Sequence, residues 1–172
     1  MLSNERIYLR VPEPQDVGVL LRWENDSDNW QVSYTLIPFS KRVMEQYVNS
    51  AHDLYSQREV RFMIICKEIN ETVGAIDLFD FDPFHQRAGI GILIDKNQRK
   101  QGFAEAALTC LMNYAFTHLQ LNSLYASVGE NNPVSLHLFT KVGFECTGLR
   151  KAWIKTTEGY IDEHFLQLIN RG

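Results

Sequence analysis

Between Arg87 and Val128 the hydrophobic pattern changes period twice, and this change restricts the fold more than any other feature of the chain. Arg87 to Asp95 reads as a strand. Leu108, Leu111, Met112, Ala115, Phe116 and Leu119 then recur at intervals of three and four, which predicts an amphipathic helix from Ala104 to about Leu119. Ser123 to Val128 reads as a strand again, and a helical crossover between two strands of one sheet sets them parallel. The preceding segments require the opposite arrangement. Val60 to Cys66 and Val73 to Phe81 are joined by a polar turn at Asn70-Glu71, and Asp82-Pro83 turns the chain into the strand at Arg87, giving an antiparallel meander. The expectation is an α/β fold with a twisted, mostly antiparallel sheet that contains one parallel pair.

The flanking segments extend that sheet. Ile7 to Val11 alternates as a strand, Pro12-Glu13-Pro14 breaks it, and an apolar-periodic stretch from Asp16 to about Glu24 predicts a helix ended by Asp26-Ser27-Asp28-Asn29. A loop is expected to carry Trp30, Tyr34 and Phe39. A second helix is expected from Ser40, as N-cap, to Ser56, with Val43, Tyr47, Ala51 and Leu54 on one face. Asn132-Pro133 starts a helix that Gly143 stops, and strands from Phe144 to Lys155 and Tyr160 to Ile169 close the chain. About four helices are expected, in one domain spanning residues 1–172.

A net charge of -4 disfavours a general attraction to nucleic acid and permits a cationic partner. No apolar run is long enough for a membrane span, and the first residues lack a signal-peptide pattern, so a cytoplasmic location is expected. Cys66, Cys110 and Cys146 show no metal-ligand spacing and read as reduced core thiols, and no metal site is expected.

Arg99-Lys100-Gln101-Gly102-Phe103-Ala104 lies where a strand hands over to a helix. A glycine there lets backbone N–H groups converge on an anion at the helix N-terminus, with Arg99 and Lys100 adding positive charge. A charged loop with a capping glycine is the plainer reading of the same residues. A second motif follows, Asn132-Pro133-Val134-Ser135-Leu136-His137-Leu138-Phe139-Thr140-Lys141-Val142-Gly143-Phe144. In this order and on these elements, the two motifs resemble the GNAT superfamily of acyl-CoA-dependent N-acetyltransferases. Leu9-Arg10, Glu13-Pro14-Gln15-Asp16 and Trp23-Glu24-Asn25-Asp26 are similar to the branch that holds spermidine acetyltransferase and the ribosomal-protein N-terminal acetyltransferases.

The resemblance implies a GNAT-like fold in which Gly91 to Asp95 splays away from Ser123 to Val128. Acetyl-CoA is then the expected cofactor, its pantetheine arm along the backbone of Ile92, Leu93 and Ile94 and its pyrophosphate on Arg99, Lys100, Gln101, Gly102, Phe103 and Ala104. Asn132 would bond the pantetheine chain near the thiol, or simply cap its helix. Many relatives place a proton-donating tyrosine where this chain has Phe139, so Ser135, one turn earlier, becomes a candidate partner for the sulfur. The acceptor amine needs a base. Asp77, Asp80 and Asp82 are read as sharing one face of the strand before the Asp82-Pro83 turn, and Asp77 and Asp80 are the preferred candidates for base or cation holder. Glu24, Trp30 and Tyr34 are candidate acceptor contacts. The acceptor is expected to be a small polyamine-like amine or a peptide N-terminus, with a homodimer as the expected assembly. An aminoglycoside acetyltransferase and a non-catalytic acyl-CoA-binding module are the competing readings.

Overall fold

A computed structural model describes residues 2–33, 35–50 and 53–171, arranged as two compact units, Met1–Arg10 with Asp53–Gly172, and Val11–His52. The first unit contains β1 (Ile7–Arg10), the short α4 (Leu54–Gln57), β2 (Val60–Cys66), β3 (Glu71–Asp82), β4 (Arg87–Ile94), α5 (Phe103–Thr117), β5 (Ser123–Gly129), α6 (Pro133–Lys141), β6 (Glu145–Thr156) and β7 (Gly159–Ile169). The second contains α1 (Val17–Glu24), α2 (Ser27–Ser33) and α3 (Lys41–Val48).

The strands form one seven-stranded sheet of order β1-β2-β3-β4-β5-β7-β6, with β4 and β5 parallel and the other neighbours antiparallel. The α5 crossover accounts for the parallel pair, as the change of period requires. Ile64, Ile76, Leu78, Ile90, Leu124, Ala126 and Leu166 come from one sheet face and meet Leu108, Leu111 and Ala115 of α5 in a single buried core. The alternation of these strands sends their odd-numbered neighbours, Asp77 and Tyr125 among them, to the opposite face. No helix of the described residues is long and apolar enough to cross a membrane.

Among the described residues six helices stand where about four are expected, for two local reasons. The polar cluster that ends α1 also starts α2: Asp26 Oδ1 accepts the N–H of Asp28 at 3.1 Å, an N-cap arrangement, and Trp30 therefore lies on a helix rather than a loop. The helix begun by Ser40, whose Oγ accepts the N–H of Val43, stops at Val48. The Asn49 and Ser50 side chains bond the carbonyls of Glu45 and Tyr47, competing with the next helical turn. Met44 and Val48 are the buried side chains of α3, whereas Val43 is exposed, and Ala51 lies outside the described residues. A new cap, Asp53, starts α4. Cys66 and Cys110 are buried, but Cys146 is exposed because β6 is the edge strand, so the expectation of three core thiols fails there.

Candidate functional site

Pairing between β4 and β5 runs only from Arg87↔Ser123 to Gly89↔Tyr125. Beyond that point β4 continues to Ile94 bonded to β3 alone, which leaves the backbone groups of Ile92, Leu93 and Ile94 on the β5 side without a strand partner. The loop after β4 is anchored by Asp95, whose carboxylate accepts the N–H of Asn97 at 3.0 Å. Lys100 (φ 62°) and Gly102 (φ 80°) are both left-handed and fold the chain sharply into α5. The first helical bond is Ala106 N–H to the Gly102 carbonyl, so the amides of 103–105 have no preceding carbonyl, and Gly102 has no side chain to cap them. These donors, at the positive end of a fifteen-residue helix, can receive an anion.

Arg6, which sequence reasoning missed, belongs to this loop. Its Nη2 donates to the Gln101 carbonyl at 2.7 Å, and its guanidinium lies 5.3 Å from the centre of the Phe103 ring. A Cβ at position 102 would lie 2.8 Å from Arg6 Nη1, the end of a flexible side chain that can move aside, so the left-handed φ is what favours glycine. Arg99 Nε bonds the Ile94 carbonyl, and the Gln101 amide bonds Gln98 within the loop. Phe103 is buried in the core and offers only its backbone, and Ala104 is half-buried. Asn132 Oδ1 caps α6 by accepting the N–H of Ser135 at 3.1 Å, leaving its Nδ2 as a donor. Ser135 is half-buried one turn before Phe139, and Phe139 is itself a core residue, edge-on to Phe144 at 5.1 Å.

The acidic residues of β3 reach one face by a route that simple alternation does not give. Asp77 and Asp80 are three apart and would point to opposite faces of a regular strand. Asp80 adopts φ 48°, the register with β4 shifts between Phe79 and Asp82, and after this bulge Phe81 enters the same core as Ile76 and Leu78. The three carboxylates then differ in what they hold. Asp77 is bound by Arg61 through both oxygens, each at 2.8 Å, which favours a counter-ion role over that of a base. Asp82 Oδ1 accepts the N–H groups of Phe84 and His85, and the His85 amide foremost holds its carboxyl below the usual range. Asp80 Oδ2 accepts the Tyr125 hydroxyl at 2.7 Å.

Tyr125 is the second residue that sequence reasoning passed over, although its position between the core residues Leu124 and Ala126 marks it for this face. Burial first, and then the hydrogen bond to Asp80, pushes its phenol well above the ordinary value, so it remains a neutral donor. It meets Phe79 edge-on at 5.8 Å and stacks on Phe165 at 5.3 Å. Tyr125 and Phe165 floor a cleft of about 570 Å³ whose walls include Arg58, Arg87, Arg150, Asp80 and Asp82. The volume suits a small molecule. Because Tyr125 pairs with Gly89, the cleft floor adjoins the last paired position before the strands diverge.

In the Val11–His52 unit, Trp30 Nε1 donates to the Glu24 carbonyl at 2.8 Å, so the indole anchors α2 to the end of α1. Asn25 clamps the backbone of Phe39 through both its side-chain atoms. Tyr34 lies outside the described residues. Among the described residues no three His, Cys, Asp or Glu side chains gather as a metal site.

Residues 6–145 match the acetyltransferase (GNAT) domain family. The spermidine N(1)-acetyltransferase of Escherichia coli K12 is 33% identical over 148 residues, covering 86% of this chain and 77% of that protein. An uncharacterised N-acetyltransferase, p20, of Bacillus licheniformis is 32% identical over 175 residues, 99% of this chain and 96% of that one. Among solved structures, spermidine N-acetyltransferase from Vibrio cholerae in complex with CoA and spermine superposes with a TM-score of 0.86 over 96% of each chain, at 23% identity.

Proposed function

Because this chain belongs to the GNAT acetyltransferase family, we propose that it transfers the acetyl group of acetyl-CoA to a primary amine by direct attack. The observation that carries this reading is the divergence of β4 and β5 beyond Gly89↔Tyr125, in line with the amide-lined loop before α5. The backbone of Ile92 to Ile94 would take the pantetheine arm in place of a strand, and the amides from Lys100 to Ala104 the pyrophosphate, with Arg6 and Arg99 supplying charge. The Asn132 Nδ2 would bond the arm near the thiol. Acetyl-CoA supplies the activated thioester, and the protein supplies orientation and proton management.

Asp80 is the candidate base. Its carboxylate lines the cleft with a neutral phenol rather than a cation on Oδ2, so it can take a proton from the acceptor's ammonium, directly or through water, and free the nitrogen lone pair to attack. As the amine nitrogen bonds to the acetyl carbon, the C–S bond breaks and the sulfur leaves with the electron pair. Phe139 has no proton to give, and a thiol of pKa near ~8.5 leaves without strict need of an acid. The Ser135 hydroxyl is the candidate hydrogen-bond partner for the sulfur.

The named relatives support a small polyamine-like acceptor, and the branch also admits a peptide N-terminus. The enzyme would act in the cytoplasm, where acetyl-CoA is available, as one catalytic domain that self-associates; a dodecameric structure of the Vibrio cholerae relative supports self-association. The test is thiol release from acetyl-CoA across a panel of polyamines, aminoglycosides and short peptides. Sustained release with one class is expected, whereas acetyl-CoA binding without release for any amine would leave only an acyl-CoA-binding module, the reading that Phe139 favours.

A further inference from the structure

The charges around the Tyr125 cleft do not match a polycation. Three guanidiniums line it, and they are not equally neutralised. Arg150 is paired at 2.6 Å with Glu163, a carboxylate 1% exposed, and stacks on Phe165. Arg87 stands 3.5 Å from Asp82 Oδ2, a long contact to a carboxylate already used by the turn, and its side chain is 55% exposed. Arg58 donates to the Phe81 carbonyl at 3.0 Å and lines the cleft. On the acidic side, Asp80 accepts only the Tyr125 hydroxyl among the described contacts, whereas Asp82, which also lines the cleft, spends Oδ1 on the turn amides and Oδ2 on Arg87. One cavity therefore presents an anionic point at Asp80 and a cationic wall at Arg58 and Arg87.

We propose that the acceptor is a small amine that also carries an anionic group, a carboxylate or a phosphate, with the amine at Asp80 and the anion at Arg58 and Arg87. This rests on the transferase reading and departs from the polyamine-like acceptor that the named relatives support. An ammonium next to Asp80 lies beside Tyr125, at the last paired position before β4 and β5 diverge, where the thioester would arrive. A polyamine would fill the same cleft with a second cation facing two guanidiniums, and like charges brought together in a partly desolvated cleft are a means of rejection. The wide fork of a guanidinium suits carboxylate and phosphate alike.

The experiment compares kcat/KM, by thiol release from acetyl-CoA, for 4-aminobutyrate, 2-aminoethyl phosphate, putrescine and spermidine. Putrescine has the same four-carbon chain as 4-aminobutyrate, with an ammonium in place of the carboxylate. At least one of the two anionic amines is expected to exceed both polyamines by about ten-fold or more, and their ranking separates carboxylate from phosphate. Arg87→Gln should lower kcat/KM for the favoured anionic amine roughly ten-fold, through KM, and raise it for putrescine, with Arg87→Lys restoring part of the preference. Polyamines favoured over both anionic amines, or a preference unchanged by Arg87→Gln, would overturn the inference and leave the transferase reading intact. No release with any amine would overturn both.

Discussion

The loop before α5 offers a ligand its backbone, whereas the cleft over Tyr125 offers side chains. In the loop the donors are amides made available by a helix start and by two left-handed residues, Lys100 and Gly102, so most side chains are free to serve other ends. Phe103 packs in the core and Gln101 ties the loop to Gln98. In the cleft every specific group is a side chain, brought from α4's end, β3, β4, β5 and β6 by the order of the sheet. A backbone site fits a ligand that does not vary, such as a pyrophosphate. A side-chain site can be respecified one residue at a time, which is where relatives of one family would part company.

The largest effect that would break this contrast is expected at position 102. Gly102→Glu strains a φ of 80° and sets a carboxylate where the pyrophosphate is proposed to bind, so acetyl-CoA affinity by calorimetry should fall more than ~10³-fold. Unchanged affinity would remove the loop from the site. At the cleft, Asp80→Asn should lower kcat by roughly 10²-fold or more while acetyl-CoA affinity stays the same, separating the two regions. A loss confined to acetyl-CoA binding would merge them.

A smaller effect is expected from Phe139→Tyr. The ring is buried against Phe144, and turnover should change by less than the roughly 10²-fold that a general acid contributes. A rise of that size would show that sulfur protonation limits the reaction. The smallest effect concerns the turn beneath the cleft. Asp82 has its carboxyl pKa lowered, chiefly by the His85 N–H, so its contribution to stability is complete above the ordinary value of 3.8 and lost as pH falls through the lower folded value. Asp82→Ala should therefore lower Tm at pH 7, with the gap to the native protein closing in acid. A gap that widened in acid would reverse the assignment.

The same contrast explains what could be read in the sequence. All seven strands, the α5 crossover, the Ser40 and Asn132 caps and the turn at Gly102 are local matters of period, capping and φ, and the residues that determine them are neighbours in the chain. The α2 helix was hidden because Asp26 both follows one helix and caps the next. The shared face of Asp77 and Asp80 depends on a bulge that simple alternation denies. Arg6 lies 95 residues from the carbonyl it bonds, and Tyr125 lies 45 from Asp80, so neither partnership leaves a mark in any short window. Cys146 reads as a core thiol from its place in an expected strand, and only the position of β6 at the sheet edge exposes it.

The claim that backbone amides hold the cofactor is tested most directly by amide hydrogen exchange with and without saturating acetyl-CoA. Slowed exchange is expected at the amides of Lys100 to Glu105 and along Ile92 to Ile94, where no strand pairs with β4 on its β5 side. Exchange unchanged in both segments while acetyl-CoA is bound would contradict it.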